Sequence, residues 1–230
     1  MQLTKAIVTA MPEEAELIIQ KYSLWETKKL GSMKIYEGVR YNNDEEENET
    51  IILVLCWVGK IHATFAATYL FENYMFEKLI NIGVVGNLRP DMISIGDVMI
   101  PNTFLQHDVY IPEFIDSMKY LRDPIFTEFA VGENYDLEKF QLHLSGICVT
   151  GDQFIDNDEI KNELVELYSA DIVDMEAYAI LTVAKNYDAL EKVWVIKSVS
   201  DGADNEAAKA HTNNLALAME NALVILEFTL

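Results

Sequence analysis

The chain has 230 residues, 50% of them hydrophobic, and a formal net charge of −21 from 17 basic and 38 acidic residues. A surface this negative repels phosphate backbones and anionic lipids, which excludes nucleic acid and membrane surfaces as partners. Mean hydropathy is +0.06 and no apolar run reaches the length of a membrane span. Cys56 and Cys148 both lie in apolar segments, a usage that fits a reducing cytoplasm better than a disulfide framework. The opening residues Met1 to Lys5 show no basic leader pattern, which agrees with a cytoplasmic expectation.

In chain order, an apolar run predicts a strand at 5–10, and Pro12 opens a helix over 12–22 at a position that needs no N–H donor. Acidic residues in that first turn, Glu13, Glu14 and Glu16, suit the helix dipole. Strands follow at 33–39 and 51–57, separated by the run Asn42 to Glu49, which reads as a solvated hairpin tip rather than a metal site. Val58-Gly59-Lys60 leads into a helix at 60–76 and lacks the serine or threonine of a phosphate loop. A strand at 79–85 runs into Gly83-Val84-Val85-Gly86-Asn87, where the glycines admit a ligand to the backbone or form a tight turn. That loop is not G-x-G-x-x-G, so no dinucleotide fingerprint is present.

A short strand at 96–101 precedes an irregular excursion over 102–144, marked by Pro112, Pro124 and several aromatics, suited to covering a pocket or a subunit contact. Strand 145–150 ends at Thr150-Gly151-Asp152-Gln153-Phe154-Ile155, and a helix is predicted at 157–168. The apolar run ending at Val173 passes into Asp174-Met175-Glu176-Ala177 and a helix over 175–187, with Asp174 placed to act as its cap. The most apolar strand, 192–200, ends at Ser200-Asp201-Gly202-Ala203-Asp204, where partial burial would raise the pKa of Asp201 and Asp204 would cap a final helix over 204–227. Alternating strands and helices without a repeat or linker predict one α/β domain over 1–230, with a mixed, partly parallel sheet. Glu14, Glu176 and Asp201 all fall at strand ends, the edge where ligands bind in such sheets.

Taken together, Ala10-Met11-Pro12-Glu13-Glu14, Gly151-Asp152-x-Phe154-Ile155, Asp174-Met175-Glu176-Ala177 and Ser200-Asp201-x-Ala203-Asp204 resemble the 5′-methylthioadenosine/S-adenosylhomocysteine nucleosidases of the purine nucleoside phosphorylase superfamily. The resemblance implies a three-layer α/β/α sandwich around a central mixed β-sheet, a homodimer, and cleavage of N-glycosidic bonds without metal or organic cofactor. It implies Asp201 as the general acid at adenine N7, Glu14 as the base that activates water, and Glu176 as the carboxylate on the ribose hydroxyls. Phe154 would stack on the purine, the Ile155 backbone would read its edge, and Met175 would pack on the sugar. Val58 and Gly86 match positions lining the ribose and 5′ side, with Val84, Asp174, Lys197, Ser200 and Ala203 counted in the substrate-binding set. The chain departs from the pattern at Val84, Val85 and Asn87, where a hydroxyl residue is usual, and at Lys197, where arginine is usual. His107-Asp108 precedes a segment that in the family reaches the neighbouring subunit.

Three functions are consistent with these residues: hydrolysis of an adenine nucleoside, phosphorolysis, or nucleoside binding with little catalysis. Phosphorolysis needs cations beside the ribose, and the glycine loop offers none before Arg89. A carboxyl at Asp201 donates to N7 and accepts from a 6-amino group, which selects adenine.

Overall fold

The structure, a computed structural model, describes residues 3–42, 47–111, 118, 120, 121, 123–129 and 137–230. Pro112, the middle of the acidic run at 43–46 and residues 130–136 of the predicted excursion lie outside the described residues. The first half of the chain forms β1 (Leu3–Thr9), α1 (Pro12–Tyr22), β2 (Trp25–Leu30), β3 (Met33–Asn42), β4 (Glu47–Leu55), α2 (Lys60–Asn73) and β5 (Lys78–Asn87). Short strands β6 (Val98–Met99), β7 (Thr103–Gln106), β8 (Ile125–Phe126) and β9 (Leu142–His143) come next. The chain closes with β10 (Ile147–Thr150), α3 (Asp158–Tyr168), β11 (Ile172–Asp174), α4 (Ala177–Asn186), β12 (Val193–Asp201) and α5 (Ala207–Thr229).

All of the described strands join one mixed sheet covered on both faces by helices, as the α/β/α expectation requires. The central strands read as continuous apolar runs because alternate side chains enter different layers. Ala6 and Val8 of β1 and Ile52 and Val54 of β4 pack toward Ala63, Ala67 and Leu70 of α2 and Ile180 and Ala184 of α4. Ile7, Ile51, Leu53 and Ile80 face the other way, onto Ala15 and Ile18 of α1 and Met219, Ala222 and Leu226 of α5.

β5 positions the site. One edge pairs in parallel with β12 from Leu79 to Gly86. The opposite edge pairs in parallel with β1 only from Lys78 to Asn81, and antiparallel with β11 at Gly86 and Asn87. Residues between those two ladders face a gap in the sheet, and the site forms there. β11 therefore enters from the opposite direction to β1 and β12, so the acids at its end meet Glu14 and Asp201 head-on rather than arriving along one shared edge.

Several predicted elements change. β2 is absent from the sequence reading because its side chains are almost all exposed and polar, and it is held by pairing with β3. The acidic run is not wholly a hairpin tip: β4 begins at Glu47, and Glu49 is fully buried beside Arg40 at 3.0 Å and Lys5 at 3.8 Å. The predicted strand 96–101 shrinks to Val98–Met99, and the excursion contributes the short β7, β8 and β9. The last helix starts at Ala207, after Asp204 has accepted the Glu206 N–H in a preceding turn at 2.9 Å.

Candidate active site

Glu14 is the third residue of α1, and its carboxylate turns back across the helix start. Oε2 accepts the Thr9 hydroxyl at 2.6 Å, the Met11 N–H at 2.9 Å and the Ala10 N–H at 3.0 Å. Oε1 accepts the Val84 N–H at 2.9 Å, a donor exposed by the gap along β5. A side chain at Gly83 would put its Cβ 2.7 Å from that oxygen, so the glycine makes room for the acid. Glu14 is 2% exposed and rigidly aimed, with Oε1 retaining an acceptor site.

Asp201 ends β12 and is also 2% exposed. Oδ1 accepts the Ala203 N–H at 3.0 Å, closing a turn that holds Ala203 in the left-handed region at φ 49°. Oδ2 accepts the Ser200 hydroxyl at 2.8 Å. Gly86 passes close by: a Cβ there would meet Asp201 Oδ1 at 3.2 Å and the Ala203 and Val173 side chains at 3.0 Å.

Glu176 precedes α4 and accepts the Gly59 N–H at 2.9 Å. Gly59 adopts φ 105°, and a Cβ there would crowd Asp152. Burial pushes the Glu176 carboxyl up to about 7, opposed by the ammonium of Lys197 and reinforced by Asp174. Burial also works against the charge on Lys197, but the carboxylates of Asp174 and Glu176 outweigh it and hold that pKa above the ordinary lysine value. Asp174 carries three donors: the Thr150 hydroxyl at 2.5 Å, the Ala177 N–H at 2.9 Å and Lys197 Nζ at 2.8 Å. It thus does cap α4 in part while joining β10 and β12.

One pocket collects Glu14, Val58, Val84, Gly86, Phe154, Ile155, Asp174, Met175, Glu176 and Asp201 of the predicted set. Lys197, Ser200 and Ala203 do not line it. Lys197 is 1% exposed and spent on Asp174; Ser200 sits behind Asp201, and Ala203 packs against Gly86 and Asp201. Asn87 also points away, donating to the Ile93 carbonyl at 2.7 Å and accepting the Arg89 N–H at 2.8 Å. The sequence reading missed Ala10, Met11, Val85, Gln153, Val173 and His211. Most are neighbours of named residues, but His211 stands on α5 and its one signal was helical spacing from Leu215.

The loop that carries Phe154 is anchored from outside. Asp108 pairs with Lys60 at 2.6 Å and accepts the Asp152 N–H at 2.8 Å, while Asp152 accepts the Lys60 N–H at 2.7 Å. Burial, the largest influence, works against the Asp108 charge, but the hydrogen bonds from Lys60 and Asp152 prevail and hold its carboxyl below the usual range. The thiols of Cys56 and Cys148 are buried and pushed well above the ordinary cysteine value, unsuited to nucleophilic work. Among the described residues no helix is long and apolar enough to cross a membrane, and no cluster of His, Cys, Asp and Glu is arranged to hold a metal ion.

The chain is similar in sequence and in fold to known proteins. Residues 4–229 match the family model of the phosphorylase superfamily. The chain is 30% identical over 220 residues to a 5′-methylthioadenosine/S-adenosylhomocysteine nucleosidase of Buchnera aphidicola, covering 91% of this chain and 89% of that protein. It is 28% identical over 208 residues to an aminodeoxyfutalosine nucleosidase of Helicobacter pylori, covering 87% and 86%. The fold matches that of a Neisseria meningitidis 5′-methylthioadenosine/S-adenosylhomocysteine nucleosidase in complex with methylthio-immucillin-A, with TM-score 0.82, 24% identity and 98% of each chain covered. The chain belongs to the phosphorylase superfamily, as an N-glycosyl hydrolase of its nucleosidase group.

Proposed function

We propose that this chain, as a single nucleoside phosphorylase-like domain, hydrolyses the N-glycosidic bond of a 5′-substituted adenine nucleoside of the methylthioadenosine or S-adenosylhomocysteine type and releases adenine. The observation that carries this reading is the lining of the pocket. Three buried carboxylates, Glu14, Glu176 and Asp201, meet there with Phe154, and none of the described lining residues is lysine or arginine. Such a site supports positive charge developing on a sugar and offers no lysine or arginine to hold a phosphate dianion.

The residues divide the work. Asp201, oriented by Ala203 and Ser200, gives its proton to N7 so that the base leaves neutral, and its other oxygen accepts from the 6-amino group. Phe154, 47% exposed at the pocket wall, is free to stack on the purine, with the Ile155 backbone at its edge. Glu176 accepts from the ribose hydroxyls, Met175 packs on the sugar, and Val58, Val84 and Gly86 surround the sugar and its 5′ side. Glu14, held by its four donors, takes the proton of the attacking water through Oε1, and the nearby carboxylates stabilise the oxocarbenium-like sugar. Asp174 and Lys197 set the charge balance behind Glu176.

The apolar side chains Trp57, Val58, Ile61 and Phe65 remain exposed around the start of α2, beside the pocket, and support a homodimer that covers them. The buried thiols and acidic surface support a cytoplasmic enzyme. The test is product analysis after incubation with methylthioadenosine, S-adenosylhomocysteine, aminodeoxyfutalosine, adenosine and inosine. Adenine released from the 5′-thio nucleosides, and none of the base from inosine, is the expected result. Binding without turnover of any of them would instead make the chain a nucleoside-binding protein.

A further inference from the structure

Asp201 does not act alone in the structure. Its Oδ2 lies 2.8 Å from Ser200 Oγ, and that oxygen lies 3.1 Å from His211 Nδ1 on the first turns of α5. The direct distance from Nδ1 to Oδ2 is 3.6 Å, so the serine hydroxyl is the short connection. Ser200 is fully buried and Asp201 nearly so, whereas the His211 side chain keeps 21% of its surface exposed. The three groups therefore form a line from the bottom of the pocket toward solvent.

Proton bookkeeping on the proposed reaction gives this line a purpose. Each turnover leaves Asp201 without a proton, because N7 of the leaving base has taken it, and leaves Glu14 with one taken from water. The base sits over Asp201 until it departs, which closes the direct route from solvent. We propose that His211 is a positioning residue that reloads Asp201 through Ser200. In that step the Nδ1–H bond of the imidazolium breaks and its proton passes to Ser200 Oγ. The Ser200 O–H proton passes to Asp201 Oδ2, the neutral imidazole regains a proton from solvent, and Glu14 releases to solvent the proton it took from the attacking water.

The surroundings suit such a role. Phe154 meets the imidazole edge-on, with ring centroids 5.8 Å apart at 87°, so the stacking residue and the relay residue brace each other. Among the described residues, the titratable groups that line the pocket with His211 are Glu14, Asp174, Glu176 and Asp201, and Glu13 and Glu16 of α1 line the groove on its outer side. The carboxylates there attract protons toward the open face of the ring.

This inference rests on Asp201 being the general acid, and the experiment separates the two ideas. The variants His211→Ala, His211→Gln and Asp201→Asn are assayed for kcat and KM over about pH 5 to 8, where imidazole changes charge. Glutamine keeps a hydrogen bond to Ser200 but carries no proton through it. Both His211 variants are expected to lose about tenfold in kcat with little change in KM, since a relay supplies only part of a general acid's contribution. They should lose the imidazole limb of the kcat profile, and free imidazole in the buffer should restore part of the rate of His211→Ala. If His211→Gln keeps the full rate and profile while Asp201→Asn is inactive, the relay is wrong and the general acid stands. If Asp201→Asn keeps full turnover, both are wrong.

Discussion

Lys197 Nζ and Asp174 Oδ2 lie 2.8 Å apart with side chains 2% and 1% exposed, so the lysine that replaces the family's arginine is committed to a buried ion pair behind the pocket. Asp174 in turn ties β10 and α4 to β12 through Thr150 and Ala177. Lys197→Met leaves that carboxylate buried and unpaired, a loss of about 3–5 kcal/mol. Urea denaturation should show the midpoint falling accordingly, with Asp174→Asn in the same chain recovering part of it. A midpoint unchanged by Lys197→Met would remove this pair from the account.

Gly83 is a second point where backbone serves chemistry. Gly83→Ala sets a Cβ 2.7 Å from Glu14 Oε1, and the acid must move away from the Val84 N–H. A displacement on the order of 1 Å at a reacting group costs about a hundredfold. The expected result is a fall of that size in kcat, with KM nearly unchanged because in the proposed reaction Glu14 acts on water rather than on the base. An alanine variant with normal kcat would show that Glu14 does not hold the nucleophile.

The raised pKa of Glu176 makes two linked predictions. Unfolded, the group titrates near its ordinary 4.5, and folded near 7, so between these values the folded chain holds a proton that the unfolded chain has lost. Stability contributed by this group therefore falls as pH rises through that window, and the cost is in full force above it. Glu176→Gln should gain stability relative to the parent across the same window, by up to about 3 kcal/mol. As the carboxylate is the form that accepts from sugar hydroxyls, kcat/KM of the parent should rise through an apparent pKa of about 7. Thermal melts and rate profiles over this range check both, and a flat difference between the two proteins would contradict the burial argument.

Phe154 is nearly half exposed, so its removal leaves the core intact. A base stacked on an aromatic ring is worth about 1–3 kcal/mol, so Phe154→Ala should raise KM by about tenfold or more while the melting temperature stays constant. Unaltered KM would place the base elsewhere in the pocket.

How much of this was readable in advance differs by element. β1, β4, β5 and β12 were legible because both of their faces enter apolar layers, which writes a continuous Val and Ile run into the sequence. β2 was not, because exposed polar residues carry no such signal and only pairing with β3 makes it a strand. The direction of β11 was equally hidden: an apolar run predicts a strand but not whether it lies parallel or antiparallel to β5. Glu14, Glu176 and Asp201 announced themselves through motifs of the resembled family, and they line one pocket. The placement of Lys197 depended on a partner on another strand, Asp174, and Asn87 turned its amide into a local loop instead of the pocket. His211 belonged to no motif, and only the packing of α5 against β12 brings it to Ser200.

In the proposed reaction water, not phosphate, attacks the sugar. Turnover of methylthioadenosine in water enriched with heavy oxygen, with inorganic phosphate present, tests it directly by mass analysis of the sugar product. Adenine with a free sugar labelled at its anomeric oxygen is the predicted outcome, at a rate independent of phosphate. An unlabelled sugar 1-phosphate, formed only when phosphate is supplied, would contradict it.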